Sequence, residues 1–361
     1  MAAADGAFQV DNLTVTAGEL EIVGKVELGG TTGQAWRADF SKFRIGKTDI
    51  NGSVVQLLDG GYLVRVDRGT FDLEPILYGG SSEARETKND MEYPLISFDV
   101  NLDALRIDEQ GRFGPTTAQA QFAAGALNML AFEAGLPNEK MLRVRYEPDG
   151  EGHKLEVRSA AAGQALAALG WSDKLEGGEL AISGKRKAWS EPLRGSFTLS
   201  KFKLSRVPAL ARLLQVASLT GIFDALQDGL DFTSFDGTFG YQDGILRLDR
   251  SRAYGSSIGI TTEGSLDLEE DIADLKGTLV TAYTVNRVLG QIPILGPILT
   301  GGEDEGVFAA SYGVTGPLED PVIAVNPLSA LAPGFLRKLF DVIGGSGDAK
   351  PAPSAGTDST R

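Results

Sequence analysis

The residue types that do chemistry are scarce in this 361-residue chain, and where they occur their spacing is wrong for the usual reactions. His153 is the single histidine and there is no cysteine, so thiolate nucleophiles, disulfides and cysteine- or histidine-rich metal sites are excluded. A Ser-His-Asp triad would have to run through His153, which lies in Gly152-His153-Lys154 beside an expected hairpin turn and reads as a solvated loop residue. Gly46-Lys47-Thr48 has the ending of a phosphate-binding P-loop. The first glycine of that motif would fall at Ser41, however, and no strand-loop-helix pattern surrounds it. A glycosidase needs two carboxylates facing each other across a sugar, and the 49 Asp and Glu residues single out no such pair. Glu269-Glu270-Asp271 and Glu303-Asp304-Glu305 match no calcium-loop spacing and read as solvated loops. The expectation is a protein without catalytic residues, metal or cofactor.

Charge narrows the partners. Lys and Arg total 34, which leaves a formal net charge of -15, a field that repels nucleic-acid backbones. The basic clusters Lys185-Arg186-Lys187 and Arg337-Lys338 are short and read as solvated surface. Hydrophobic residues make up 42% and charged residues 23% of the chain, enough apolar surface for a folded core. No apolar run approaches the roughly 18 residues of a spanning helix. Met1 to Gly6 shows neither the basic nor the apolar part of a signal peptide, so export would require residues preceding this chain.

What the chain does carry is period-two alternation from end to end. Leu20, Ile22, Gly24, Val26 and Leu28 share one face, while Glu19, Glu21, Lys25 and Glu27 share the other. The same alternation runs through Tyr62, Val64 and Val66, through Ile96, Phe98, Val100 and Leu102, through Leu142, Val144 and Tyr146, and through Phe235, Phe239 and Tyr241. It is clearest at Ile258, Ile260, Leu266 and Leu268, set against Thr261, Glu263, Ser265 and Asp267. Each run predicts a strand with one dry and one wet face. Asp59-Gly60-Gly61, Asp149-Gly150, Gly177-Gly178 and Asp243-Gly244 supply tight hairpin turns between them, and 46 glycines allow the bends of a curved sheet. Thr116 to Ala134 also reads as strand.

Helical patterns are few. Ala160 to Leu169 is alanine-rich and stops at Gly170, while Val207 to Leu226 and Pro333 to Ile343 carry apolar residues at three- and four-residue spacing. Between the last two lies the oily stretch Gln291 to Gly302, which Pro293 and Pro297 prevent from forming a regular helix. Residues 344–361 read as a disordered tail. The fold expected is mainly β: a long, strongly curved antiparallel meander with a few short amphipathic helices. Too few helices exist to cover its apolar face. Pattern alone leaves two arrangements open, a trough that holds something other than protein and a sandwich of two halves packed on each other.

Several segments bear on that choice: Gly264-Ser-Leu-Asp-Leu268, Asn286-Arg-Val-Leu-Gly-Gln-Ile-Pro293, Gly296-Pro-Ile-Leu-Thr-Gly-Gly302 and Asn326-Pro-Leu-Ser-Ala-Leu-Ala-Pro-Gly-Phe-Leu-Arg337. With these the chain resembles the C-terminal region of the AsmA-like envelope proteins, the group that includes YhdP and TamB, and most of all its large alphaproteobacterial members. The likeness extends to Ala160–Gly178 and Phe202–Leu226, and reaches residues before Arg158 only in repeat style.

The resemblance implies a taco-like repeating β-groove held at the inner membrane by an N-terminal helix and reaching across the periplasm of a Gram-negative bacterium. It implies β-groove repeats over residues 1–158 and a C-terminal groove segment with capping helices over 159–343. It also implies a non-enzymatic, bridge-like carrier of glycerophospholipid between inner and outer membranes. Roughly twenty strands about 4.8 Å apart would give a trough on the order of 100 Å long. Groove-lining candidates are Ile258, Ile260, Leu266, Leu268, Phe235, Phe239, Tyr241, Ile96, Phe98 and Val100. Ile294, Leu295, Ile298, Leu299, Phe335, Leu336, Leu339 and Phe340 are candidates for a cap or a membrane-surface contact at one end. The expected partners are phospholipid and a membrane surface, with an envelope protein partner left open and nucleic acid excluded. The alternative function is an outer-membrane protein assembly factor or envelope scaffold that pairs strands at its edge.

Overall fold

In the computed structural model the described residues are 8–28, 34–78, 93–205, 229–256, 258–281, 309–318 and 320–326. They form one long, open, curved sheet of twenty strands. Strands β1 (Phe8–Ala17), β2 (Leu20–Leu28), β3 (Gln34–Ile45), β4 (Thr48–Leu57) and β5 (Tyr62–Asp72) pair antiparallel in chain order. After helix α1 (Glu74–Tyr78), β6 (Ile96–Leu102) returns parallel to β5. Strand β7 (Ala104–Arg106) also lies parallel to the end of β5 and makes a small hairpin with β8 (Arg112–Phe113).

Strand β9 (Thr116–Ala123) pairs antiparallel with β6 and restores the meander. It continues through β10 (Ala126–Gly135), β11 (Met141–Asp149) and β12 (Gly152–Ser159), then past helix α2 (Ala162–Ala168) into β13 (Leu175–Arg186). Strands β14 (Leu193–Leu204), β15 (Leu230–Gln242), β16 (Ile245–Gly255), β17 (Ile258–Asp267), β18 (Ile272–Thr281), β19 (Ala309–Pro317) and β20 (Val322–Asn326) complete it, each paired with the one before.

The expected curved meander and the strands over Thr116 to Ala134 are therefore present. Two details differ from expectation. The β5–β6 step is parallel, because the connection from Leu73 to Leu95 is long enough to carry the chain back across before the next strand begins. Gly177-Gly178 makes no hairpin turn: both glycines sit inside β13 with positive φ, and the β13–β14 ladder keeps its register from Gly177 opposite Phe202 to Glu179 opposite Ser200, skipping only the Gly178 position. Gly178 serves packing instead, since a Cβ there would crowd Leu199, Phe202 and Ala162 of α2. The other turn signals hold, with Gly60, Gly150 and Gly244 at positive φ between successive strands. Helix α2 forms where the alanines predicted it, and Gly170 follows it at φ 75°. The helices expected over Val207–Leu226 and Pro333–Ile343, the stretch Gln291–Gly302 and the tail 344–361 lie outside the described residues.

Curvature has a local cause. Gly264 and Gly277 lie on the apolar side of β17 and β18, and a Cβ on either would run into a backbone carbonyl of the neighbouring strand, that of Asp274 or Thr261. The sheet thus folds towards its apolar face at points where only glycine leaves room. Tyr312 on β19 locks the fold by donating its hydroxyl to the Thr261 carbonyl at 2.8 Å and lying 2.7 Å from the Thr262 hydroxyl. Burial pushes the Tyr312 pKa up to about 12, which keeps it a hydrogen-bond donor. Gly277→Val should lower the unfolding free energy by roughly 2 kcal/mol or more in a urea titration, through overpacking against the Thr261 backbone. Gly240→Ala, at a position with nothing within 4 Å of the added carbon, should change it by less than about 0.5 kcal/mol.

Candidate functional site

Strand register decides which side chains share a face, and it assembles one apolar face across the whole sheet. Val26 stands opposite Ala38, Ala38 opposite Val54, and Val54 opposite Val64. Val64 pairs with Phe98, Phe98 with Ala120, Ala120 with Leu130, and Leu130 with Tyr146. From there the face runs through Leu155, Gly184, Gly195 and Phe239 to Leu248. It ends through Gly264, Leu275, Val314 and Ile323. Leaving aside the β7–β8 hairpin, eighteen strands contribute, so at about 4.8 Å per strand the face runs on the order of 80 Å along the sheet.

Bulges keep this face in phase. Phe40 and Phe43 are three residues apart, yet both face the same side because β3 slips against β4 between them. The same device aligns Phe232 with Phe235, where β15 slips against β16.

The opposite face carries the charge. Arg37 pairs with Asp39, Lys42 with Glu21, Arg145 with Glu133, Lys154 with Glu147 and Lys276 with Glu263. The Arg37 guanidinium, by hydrogen bonding, holds the Asp39 carboxyl below the ordinary carboxylate range. These exposed ladders keep the outer surface wet and contribute little stability individually.

The two long edges of the apolar face differ. Along one edge, where β10 ends, β11 begins and α2 sits, the face is closed. Phe113, Ala134, Leu142 and Ala165 belong to one buried cluster there, and Phe202, Leu230, Phe232, Ile258 and Leu279 to another. Helix α2 packs directly on the strands because Gly163 lies against the Leu175 carbonyl, where any Cβ would collide. Along the other edge, where β2, β9 and β15 place their turns, large apolar side chains are left open: Leu28 is 44% exposed, Phe122 37%, Tyr241 37% and Trp189 57%. The section is that of a trough, dry inside, sealed on one lip and open on the other.

The sequence-predicted residues fall along this trough unevenly. Ile96, Phe98 and Val100 are half-buried on the apolar face, with Phe98 edge-on to Phe122 at 5.9 Å between ring centroids. Phe235 is half-buried against Phe197 at 4.9 Å, Phe239 is buried, and Tyr241 stands at the open lip. Ile260 and Leu266 are half-buried on the same face. Ile258 is fully buried in the closed side, so it packs core rather than open trough. Leu268 lies past the end of β17, 49% exposed in the turn. Ile294, Leu295, Ile298, Leu299, Phe335, Leu336, Leu339 and Phe340 lie outside the described residues. The same alternation extends the lining to Trp36, Phe40, Val144, Val157, Ile182 and Phe197.

Two readings of the sequence are corrected here. His153 is no loop residue: it is half-buried on β12, its ring stacked on Tyr146 at 4.9 Å and 3.3 Å from Asn128 Oδ1. Arg186 does not share the solvated surface of Lys185. Lys185 turns outward to Asp149, at 2.6 Å, while Arg186 falls on the apolar face opposite the strand position of His153. Gly46-Lys47-Thr48 forms the β3–β4 turn, with Lys47 3.1 Å from Glu74 and the Thr48 hydroxyl accepting from the Asp72 amide. No group of three or more metal-ligating side chains occurs among the described residues.

The sequence model of the family described as YhdP protein matches residues 3–323 of the chain. No curated protein and no solved structure matches it.

The two lips should respond differently to truncation. Phe232→Ala, on the closed side, should cost about 3–5 kcal/mol in chemical denaturation, whereas Phe122→Ala at the open lip should cost less than about 1 kcal/mol.

Proposed function

Since the chain belongs to the YhdP protein family, we propose that its trough is a segment of a bridge-like conduit that carries glycerophospholipids between the inner and outer membranes of a Gram-negative envelope. The observation that carries this reading is the apolar face that continues in register over eighteen strands and that, among the described residues, only α2 and the β7–β8 hairpin cover, along one edge. A sheet face of that size is stable in water only if something apolar occupies it or the sheet curls around it.

The physical case concerns barrier height. Exposing an acyl chain to water costs about 0.8 kcal/mol per methylene, so two ordinary chains face more than ~20 kcal/mol on leaving a bilayer. A dry trough lets the chains slide between equivalent apolar surroundings while the head group travels in water along the open lip. No bond is made or broken, and the chain's own residues only have to exclude water and offer no deep trap. The half-buried residues at mid-strand, such as Val144, Val157, Ile182 and Ile260, supply that surface. No described helix is long and apolar enough to cross a membrane, so the described part of the chain does not itself span one as a helix. The proposed setting is the periplasm, with an anchor at the inner membrane supplied outside the described residues.

Organic-solvent extraction of the protein purified from a bacterial envelope, followed by mass spectrometry, should yield glycerophospholipid. Ile182→Asp, which sets a charge in the middle of the trough, should slow transfer of a fluorescent phospholipid between vesicles by about tenfold or more. Protein that comes out lipid-free and also fails to take up the fluorescent phospholipid would overturn the reading.

A further inference from the structure

One charged side chain breaks the apolar face. Among the residues that strand register places on it, Arg186 is the sole Asp, Glu, Lys or Arg. It ends β13 at the open lip, beside the turn to β14. Its guanidinium lies 4.2 Å over the ring of Trp189, in that turn, and 5.6 Å over the ring of Tyr146. Contacts of this kind engage the charge of the guanidinium and take up none of its N–H groups.

Arg186 Nε is shut off from water without a hydrogen-bond partner, and so is the hydroxyl of Tyr146, a residue only 4% exposed. Burial raises the pKa of this phenol, so it stands as a donor. Neighbouring cations are matched, Lys185 by Asp149 and Lys154 by Glu147, but no carboxylate pairs with Arg186 among the described residues. His153 adds a third polar group to the cluster, stacked on Tyr146 and anchored by Asn128, which in turn donates to Gln121. A buried donor set with a fixed cation and no anion of its own is costly unless an anion completes it.

We infer that Arg186 and Tyr146 form a phosphate-binding station at the open lip, which takes the phosphate ester of a lipid whose acyl chains lie on the adjoining apolar face. Planar guanidinium and phosphate suit bidentate pairing, and Arg186 half-buried at the lip sits where dry face meets water. This rests on the conduit reading and sharpens it: the trough would discriminate among lipids by their head group at one fixed place along its length. It also explains why a basic residue stands on a face that otherwise carries uncharged side chains in register.

The test uses the full chain and soluble short-chain lipids, with binding followed by titration calorimetry. Dihexanoylphosphatidylglycerol should bind about tenfold or more tightly than dihexanoylglycerol, which has the same chains and no phosphate. Arg186→Gln should erase that preference while leaving dihexanoylglycerol binding unchanged, Arg186→Lys should keep part of it, and Tyr146→Phe should weaken it. A thermal melt of each variant checks folding. If both lipids bind and Arg186→Gln leaves their ratio unchanged, the station is overturned and the conduit stands. If neither lipid binds the unsubstituted protein, the conduit reading falls and the station with it. Inorganic phosphate binding as tightly as dihexanoylphosphatidylglycerol would overturn the lipid as its source.

Discussion

A single-layer sheet has two faces and only one of them can be wet at no cost; everything else in this structure follows from keeping the other face continuous. Each strand hands its apolar side chains to the next in register, from Val26 through Val64, Phe98 and Leu130 to Leu248 and Val314. One slip by a single residue would turn a strand's apolar set outward into water. The slips that do occur therefore come as bulges, which absorb an extra residue and return the strand to phase, as between Phe40 and Phe43 or Phe232 and Phe235. Even the parallel step from β5 to β6 obeys this constraint, with Tyr62, Val64 and Val66 facing Ile96, Phe98 and Val100.

Closure and opening are divided between the two lips. On the sealed side the alanines of α2 and the glycines beneath it allow helix and strand to approach closely, and Phe202 stacks on Phe232 at 5.1 Å. That side supplies cohesion, since most fully buried large residues belong to it. The open side gives up burial at Leu28, Phe122 and Tyr241. A trough that were sealed on both lips would be an ordinary core; one sealed on neither would lack the cohesion to hold its curve. The asymmetry lets a stable protein present a long apolar surface.

The sheet and its alternation were legible in the sequence because a side-chain period of two is a local property of extended backbone. The runs at Ile96 to Leu102 and at Ile258 to Leu266 predict their strands and their inward faces correctly, and the alanines before Gly170 predict α2. The Gly177-Gly178 pair did not betray its role, since paired glycines suit a turn as well as a close approach inside a strand, and only Ala162 and Leu199 pressing on Gly178 distinguish them. Phe232 was missed for a related reason: its spacing from Phe235 is out of phase until the bulge is known. His153 and Arg186 were misread because proximity to a turn and membership of a basic cluster are weak guides. Counting forward by twos from Ile182 through Gly184 would have set Arg186 on the dry face.

By itself, then, the sequence determined that this chain is a run of one-sided strands with mostly short local connections, that nearly all the charges of those strands belong on one face, and that it has no cysteine and a single histidine. These are consequences of residue type and of periods two to four residues long, which neighbours in the chain impose on each other. Only the tertiary structure decided which lip is sealed, that Ile258 is core and Tyr241 is rim, where the strands run parallel, and that Arg186, Tyr146 and Trp189 meet. Those outcomes depend on pairings between strands and on where the sheet bends, and such long-range contacts are set by the register of the whole face rather than by any stretch of it.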